Sequence, residues 1–144
     1  MVDVGKKPMT RRRAVARGRV RLGPEAFEAL ASGRLSKGDA LAVARIAGIL
    51  GAKKTPELVP LAHPVPLDSV EVECELDSRL REIVVTATVS TAARTGVEME
   101  ALTGVAVACL ALYDMAKALD RGAEIREIVL VEKTGGRSGP YRRA

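Results

Sequence analysis

Residues 101–113, ALTGVAVACLALY, contain no charged side chain, and this run constrains the fold more than any other stretch. At about 100° per residue, Val97, Ala101, Leu102, Val105, Ala108, Cys109, Leu112 and Ala116 gather on one side of a helix. The spacing predicts a helix over 96–120, from Gly96 to the charged stop LDRG. Val107 and Leu110 fall on its other side, so the helix is apolar nearly all round and needs cover on both faces, the second of which could be another subunit. Glu100, Thr103, Asp114 and Lys117 lie on that outer side, with Asp114 and Lys117 one turn apart.

The surface for such a helix to pack on is supplied by strands. In VEVECEL, Val70, Val72, Cys74 and Leu76 alternate with Glu71, Glu73 and Glu75, the period of a half-buried strand. DSRLRE then turns the chain and IVVTATVS returns, which predicts an antiparallel hairpin over 70–90. Residues 12–22 alternate Arg with Ala, Val and Gly and read as a strand with one basic face, and EIVLV (127–131) reads as a final strand. GPEAFEALASG predicts a short helix, and Asp39 is placed to cap a second one carrying Leu41, Ala44, Ile46, Ala47 and Leu50. Prolines 56, 60, 64 and 66 forbid regular structure in the loop between helix and hairpin. The order of elements predicts a single domain over 1–144, an α+β sandwich with one antiparallel sheet and helices on one face.

With no Trp, one Phe and two Tyr, the core must be built from Val, Leu, Ile and Ala. A core without large anchors often shares apolar surface with a second copy, so a homo-oligomer is expected. The net charge of +5 and pI near 9.6 favour an anionic partner. Cys74 and Cys109 lie far apart without companion histidines, which fits reduced thiols and indicates neither a zinc site nor a disulfide framework. No segment has the pattern of a signal peptide, and 101–113 is too short to span a bilayer, so a soluble cytoplasmic protein without a membrane partner is expected.

Several residues carry chemistry under one reading and none under another. Asp114 and Lys117 form either an ordinary i,i+3 surface pair or, if their helix face is buried, a partly desolvated acid–base pair. Lys37, just before a helix start, places an ammonium beside backbone N–H groups where phosphate binds, or is a solvated loop lysine. EKTGGRSG (132–139) is a basic, glycine-rich loop suited to phosphates but lacks the Walker A order; the alternative is a disordered basic tail. The only histidine, His63, sits in LVPLAHPVPL, stiffened by Pro60, Pro64 and Pro66. It is a structural imidazole or a preset substrate contact, and its being alone rules out a histidine-based metal cluster.

Taken together, KGD (37–39), ARIAGILGAKKTPELVPLAHPVPL (44–67), TGVEMEALTGVAVACLALYDMAKALD (95–120) and KTGGRSG (133–139) resemble the cyclic pyranopterin monophosphate synthase family of molybdenum cofactor biosynthesis, in the same order over almost the whole chain and starting from MVDV at 1–4. The resemblance implies a ferredoxin-like subunit that converts 3′,8-cyclo-7,8-dihydro-GTP to a cyclic pyranopterin phosphate and releases pyrophosphate. It implies a catalytic role for Asp114, Lys117 and Lys37. Substrate binding falls on Leu61, Ala62, His63, Met99, Glu100 and Lys133, with Lys53 and Arg12 also in reach. It implies a hexamer built as a trimer of dimers with sites at the dimer interface; the residues themselves indicate no protein-bound metal and leave open whether Mg²⁺ accompanies the substrate phosphates. Ala62 stands where the family often carries a cysteine, and Arg137 where lysine is common; both cations hold phosphate, with different geometry.

A rival reading is a basic RNA-binding module using the arginine-rich first strand and the tail. The scarcity of aromatics argues against base stacking, so nucleic acid is not expected as a partner. An inactive interaction protein that retains only the oligomer is the third reading.

Overall fold

The computed structural model describes residues 1–144. The strands are β1 (Thr10–Arg21), β2 (Ser69–Asp77), β3 (Glu82–Ala93), β4 (Glu124–Thr134) and β5 (Tyr141–Arg142). The helices are α1 (Pro24–Ala31), α2 (Ala40–Lys53), α3 (Thr55–Leu58) and α4 (Glu98–Ala116). The strands form one antiparallel sheet in the order β2-β3-β1-β4-β5, which with its helices is the expected α+β arrangement.

Period-two alternation decides which face is covered. On β1, Ala14, Ala16, Gly18 and Val20 are buried while Arg13, Arg17 and Arg19 point to the opposite face. That opposite face is basic along β1, but Arg13 is paired with Glu132 at 2.7 Å and Arg19 with Glu82 at 2.9 Å, which breaks up the continuous cationic stripe that a nucleic-acid surface would need. On β3, Ile83, Val85, Ala87 and Val89 are fully buried. Against this surface lies α4, close enough that a Cβ on Gly18 would stand 2.6 Å from Val105 Cγ1. The small core lets helix and sheet approach this nearly.

Val97, Ala101, Val105, Ala108, Cys109, Leu112 and Ala116 of α4 are buried, as the helical spacing predicted. Its second face is covered in part by α2 of the same chain, running antiparallel: a Cβ on Gly48 would lie 3.0 Å from the Gly104 carbonyl, and one on Gly51 2.7 Å from Val107 Cβ. Leu110 remains 58% exposed. By length and composition α4 passes for a membrane span, longer than the uncharged run alone suggests, but half of it is buried as a core helix.

Four boundaries differ from expectation. α4 spans Glu98–Ala116, within the predicted 96–120, because its last turn opens at Lys117–Leu119. Pro56 does not prevent structure but sits in the first turn of α3, where its missing N–H costs nothing. β4 extends beyond EIVLV on both sides, with a bulge around Glu127 (φ 51°) that interrupts the alternation. The tail ends in a short strand, β5, pairing Tyr141 and Arg142 with Lys133 and Glu132.

Candidate active site

The candidate residues fall into two groups at opposite ends of α4. At its C-terminal end the Asp114 carboxylate accepts from Lys117 Nζ at 2.7 Å and from Lys37 Nζ at 2.7 Å. Lys37 Nζ also donates to the Asp114 main-chain carbonyl at 3.0 Å. Of the two readings of Lys37, beside the start of α2 or solvated in its loop, the structure gives neither as stated. Asp39 does cap that helix, accepting from Ala42 N, but the antiparallel packing carries Lys37 to the carbonyl end of α4, where a cation is favoured.

Of the two readings of Asp114 and Lys117, the exposed i,i+3 pair is the one found, with Lys37 as a third member. Asp114 and Lys117 are about half exposed, and the two ammonium groups, Lys117 first and Lys37 second, pull the Asp114 carboxyl down to about 2 by hydrogen bonding. Asp114 is therefore ionised throughout the neutral range and acts as an acceptor there.

The other group lies at the N-terminal end of α4. A cleft of about 200 Å³ is lined by Leu61, Ala62, His63, Met99 and Glu100 together with Thr95, Gly96 and Glu98. Glu100, expected on the outer side of the helix, is 3% exposed, and burial pushes its carboxyl upward. A helical wheel gives its angle but does not reveal the Leu61–His63 loop beside it. Alongside is a wider cleft of about 440 Å³ to which Lys7, Arg12, Arg94, Lys133 and Arg137 bring five cations against the single carboxylate of Glu98.

Arg12 is fixed by its own hydrogen bonds, Nε to the Ala93 carbonyl at 3.2 Å and Nη2 to that of Arg94 at 3.3 Å. The turn at Gly135 and Gly136 folds over it with φ of 89° and 82°, and a side chain at Gly136 would collide with the guanidinium. These two glycines carry Lys133, 4.0 Å from Glu98, and its hydrogen-bonded partner Ser138 to the rim. Lys53 is exposed at the C-terminal end of α2, toward the same end of α4, but lines neither cleft.

Lys7, Arg94, Thr95 and Glu98 were not singled out from the sequence. Lys7, beside Lys6, and Arg94 sit in unremarkable local patterns, and only the fold brings them together. Nowhere do three or more His, Cys, Asp or Glu residues gather as metal ligands.

From Met99 to Asp114 the helix rises roughly 22 Å, so one chain does not bring the two groups to a common reacting centre. Both ends nevertheless suit an anionic ligand, with the five-cation cleft at one and the lysine–aspartate–lysine cluster at the other.

Comparison with known proteins bears on the chain as a whole. The model of the MoaC family matches residues 1–136. A cyclic pyranopterin monophosphate synthase of Thermomicrobium roseum is 58% identical over 143 residues, covering 99% of this chain and 86% of the relative. The enzyme of the same name from Parvibaculum lavamentivorans is 54% identical, over 99% of this chain and 89% of its own. That of Roseiflexus sp. is 55% identical, over 98% and 89%.

Proposed function

We propose, from the premise that this chain belongs to the MoaC family, that it is a cyclic pyranopterin monophosphate synthase acting in molybdenum cofactor biosynthesis. Its substrate is then 3′,8-cyclo-7,8-dihydro-GTP. The purine ring is rearranged to a pyranopterin, an oxygen of the substrate closes on the α-phosphorus, and the bond to the pyrophosphate leaving group breaks. The observation that carries this reading at the level of residues is the Asp114 carboxylate held between Lys37 and Lys117.

In that reaction Lys37 and Lys117 offer protons and positive charge to ring-opened and phosphoryl intermediates, and Asp114 orients both ammonium groups. His63, Met99 and Glu100 hold the substrate at the other group, with Leu61 and Ala62 completing the wall, and Arg12 and Lys133 face the phosphates; Lys53, outside both clefts, is assigned no contact. Ala62 leaves this wall without a thiol, so no sulfur chemistry is assigned to it. Any Mg²⁺ would arrive on phosphate oxygens, since the five-cation cleft has no carboxylate set to hold one.

One substrate meets both groups if two copies pair across the helix layer, the C-terminal end of α4 in one against the N-terminal end in the other. Support comes from the uncovered apolar stripe of that layer, Val43 (41% exposed), Ile46 (68%) and Leu50 (52%) on α2, beside Leu110 on α4. Such dimers assemble into the hexamer that the family resemblance implies. Two free cysteines suit the reducing cytoplasm, where we place the reaction.

Pyrophosphate release from purified 3′,8-cyclo-7,8-dihydro-GTP tests the function. The native protein should release it, while Lys37→Ala and Asp114→Asn, still folded and assembled, should fall by about a hundredfold or more. A folded native oligomer that releases none would sink the reading.

A further inference from the structure

The Lys37–Asp114–Lys117 cluster joins two segments far apart in the chain, the loop between α1 and α2 and the last turn of α4. All three side chains are about half exposed, and ion pairs so placed are weak and readily exchanged. In the reaction proposed above, the two ammonium groups must also turn from Asp114 toward the substrate. Something outside the cluster has to hold the two segments in register while they do.

Asp120 makes such a tie. Its Oδ2 accepts from the Gly23 amide, 97 positions away, at 2.7 Å, and its Oδ1 accepts from the Gly122 amide at 2.9 Å. Gly23 is the N-cap of α1 and has no side chain to cap that helix, so a carboxylate from beyond α4 stands at its positive end. The missing side chain also leaves the carboxylate its room, since a Cβ on Gly23 would stand 3.3 Å from Asp120 Oδ2.

Each partner is stiffly connected to one side of the cluster. The Asp120 amide donates to the Ala116 carbonyl at 3.0 Å, continuing the turn that carries Lys117, and Tyr113 Oη donates to the Arg121 carbonyl at 3.0 Å across the same turn. On the other side, α1 begins directly after Gly23 and Leu35 is buried in the core. The Gly38 amide then donates to the Leu35 carbonyl at 3.0 Å, closing a turn with Lys37 inside it. From Gly23 to Lys37 the chain is a helix, a core anchor and a closed turn, with little slack.

We propose that Asp120 is a positioning residue, which sets the distance between Lys37 and the Asp114–Lys117 turn by bolting the start of α1 to the exit of α4. Its side-chain hydrogen bonds go to backbone amides and none to the cluster, so it acts through the backbone of both segments. Its bearing on turnover rests on the cluster being the reacting group proposed above; its hold on the cluster does not.

The carbon-13 titration midpoint of Asp114, near 2 in the native protein, reads the cluster without requiring turnover. Asp120→Ala should raise it toward the ordinary 3.8, because Lys37 no longer arrives in place. Gly23→Pro, compatible with the φ of −63° there, removes the donor instead and should raise it likewise. Asp120→Asn, whose amide oxygen still accepts from Gly23, should bring it back near 2. Asp68→Ala removes a similar tie, to the Ala92 amide at 3.0 Å, from a different part of the sheet and should leave the midpoint in place. In turnover assays Asp120→Ala should lose about tenfold or more in kcat, with KM within about twofold. An unmoved midpoint in Asp120→Ala and Gly23→Pro, or an equal shift in Asp68→Ala, would overturn the proposal and leave Asp120 a role in stability alone. The expected midpoints, in a native protein that turns over no substrate, would instead retire the reaction and keep Asp120 as the organiser of the cluster.

Discussion

At the scale of single residues, Asp114 and Glu100 show how two carboxyls on one helix acquire opposite characters. Asp114 is exposed and sits between two ammonium groups, which hold its carboxyl near 2. Glu100 is buried beside the His63 loop, and desolvation raises its carboxyl. The sign for Asp114 follows from linkage: its folded value lies below its ordinary 3.8, so its stabilising contribution is present above that value and is lost as the pH falls toward 2. A carbon-13 titration of the Asp114 side chain should give a midpoint near 2. Lys117→Ala should move it upward more than Lys37→Ala, because the Lys117 hydrogen bond is the larger cause. A native midpoint at the ordinary aspartate value would mean that the two ion pairs do not persist in solution. The sequence displayed the pair at i and i+3 but not its third member. Lys37 lies 77 positions away, and only the antiparallel course of α2 against α4 joins them.

At the scale of elements, period and punctuation in the sequence carried most of the fold. The strict alternation of VEVECEL became β2, Asp39 capped α2 as expected, and the apolar side of α4 is the buried side. What escaped was set by tertiary contact. β5 exists because the Gly135–Gly136 turn returns the tail to the β4 edge, and no local pattern in RSGPYRRA announces a strand. Gly18 belongs to the same class: by propensity it weakens a strand, yet α4 requires it. An alanine there would put its Cβ 2.6 Å from Val105 Cγ1 and 3.1 Å from Cys109 Sγ. Gly18→Ala should therefore lower unfolding free energy by about 1–3 kcal/mol in urea denaturation, the range for overpacking a filled core. Gly51→Ala, with its Cβ 2.7 Å from Val107 Cβ, meets a similar obstruction but gains about 1 kcal/mol of helix propensity, so its loss should be smaller. Equal stability of Gly18→Ala and the native chain would show that α4 can lift from the sheet without penalty.

At the scale of the whole molecule, the separation of the two candidate groups along α4 makes a distinct demand. Asp114 and His63 serve one reaction centre only if they come from different copies, a demand independent of the expectation of an oligomer that the lack of large core anchors raised. Nothing in the sequence says which face pairs, because an apolar stripe on α2 reads the same whether it is covered within the chain or by another. The structure leaves Ile46 and Leu50 uncovered after α2 has packed on α4. Mixing inactive chains discriminates shared from private sites. Asp114→Asn chains are defective at one end of α4 and His63→Ala chains at the other. In a two-fold pair of one of each, both defects fall in the same shared site and the second site is intact. Random exchange of equal amounts makes half of the pairs mixed, so pyrophosphate release should recover to roughly a quarter of the native rate, from two parents that show almost none. Ile46→Glu in both chains should abolish the recovery by placing charge in the apolar contact. If mixed pairs form, as judged by mass, and no activity returns, each site is built within one chain and the shared-site arrangement is wrong.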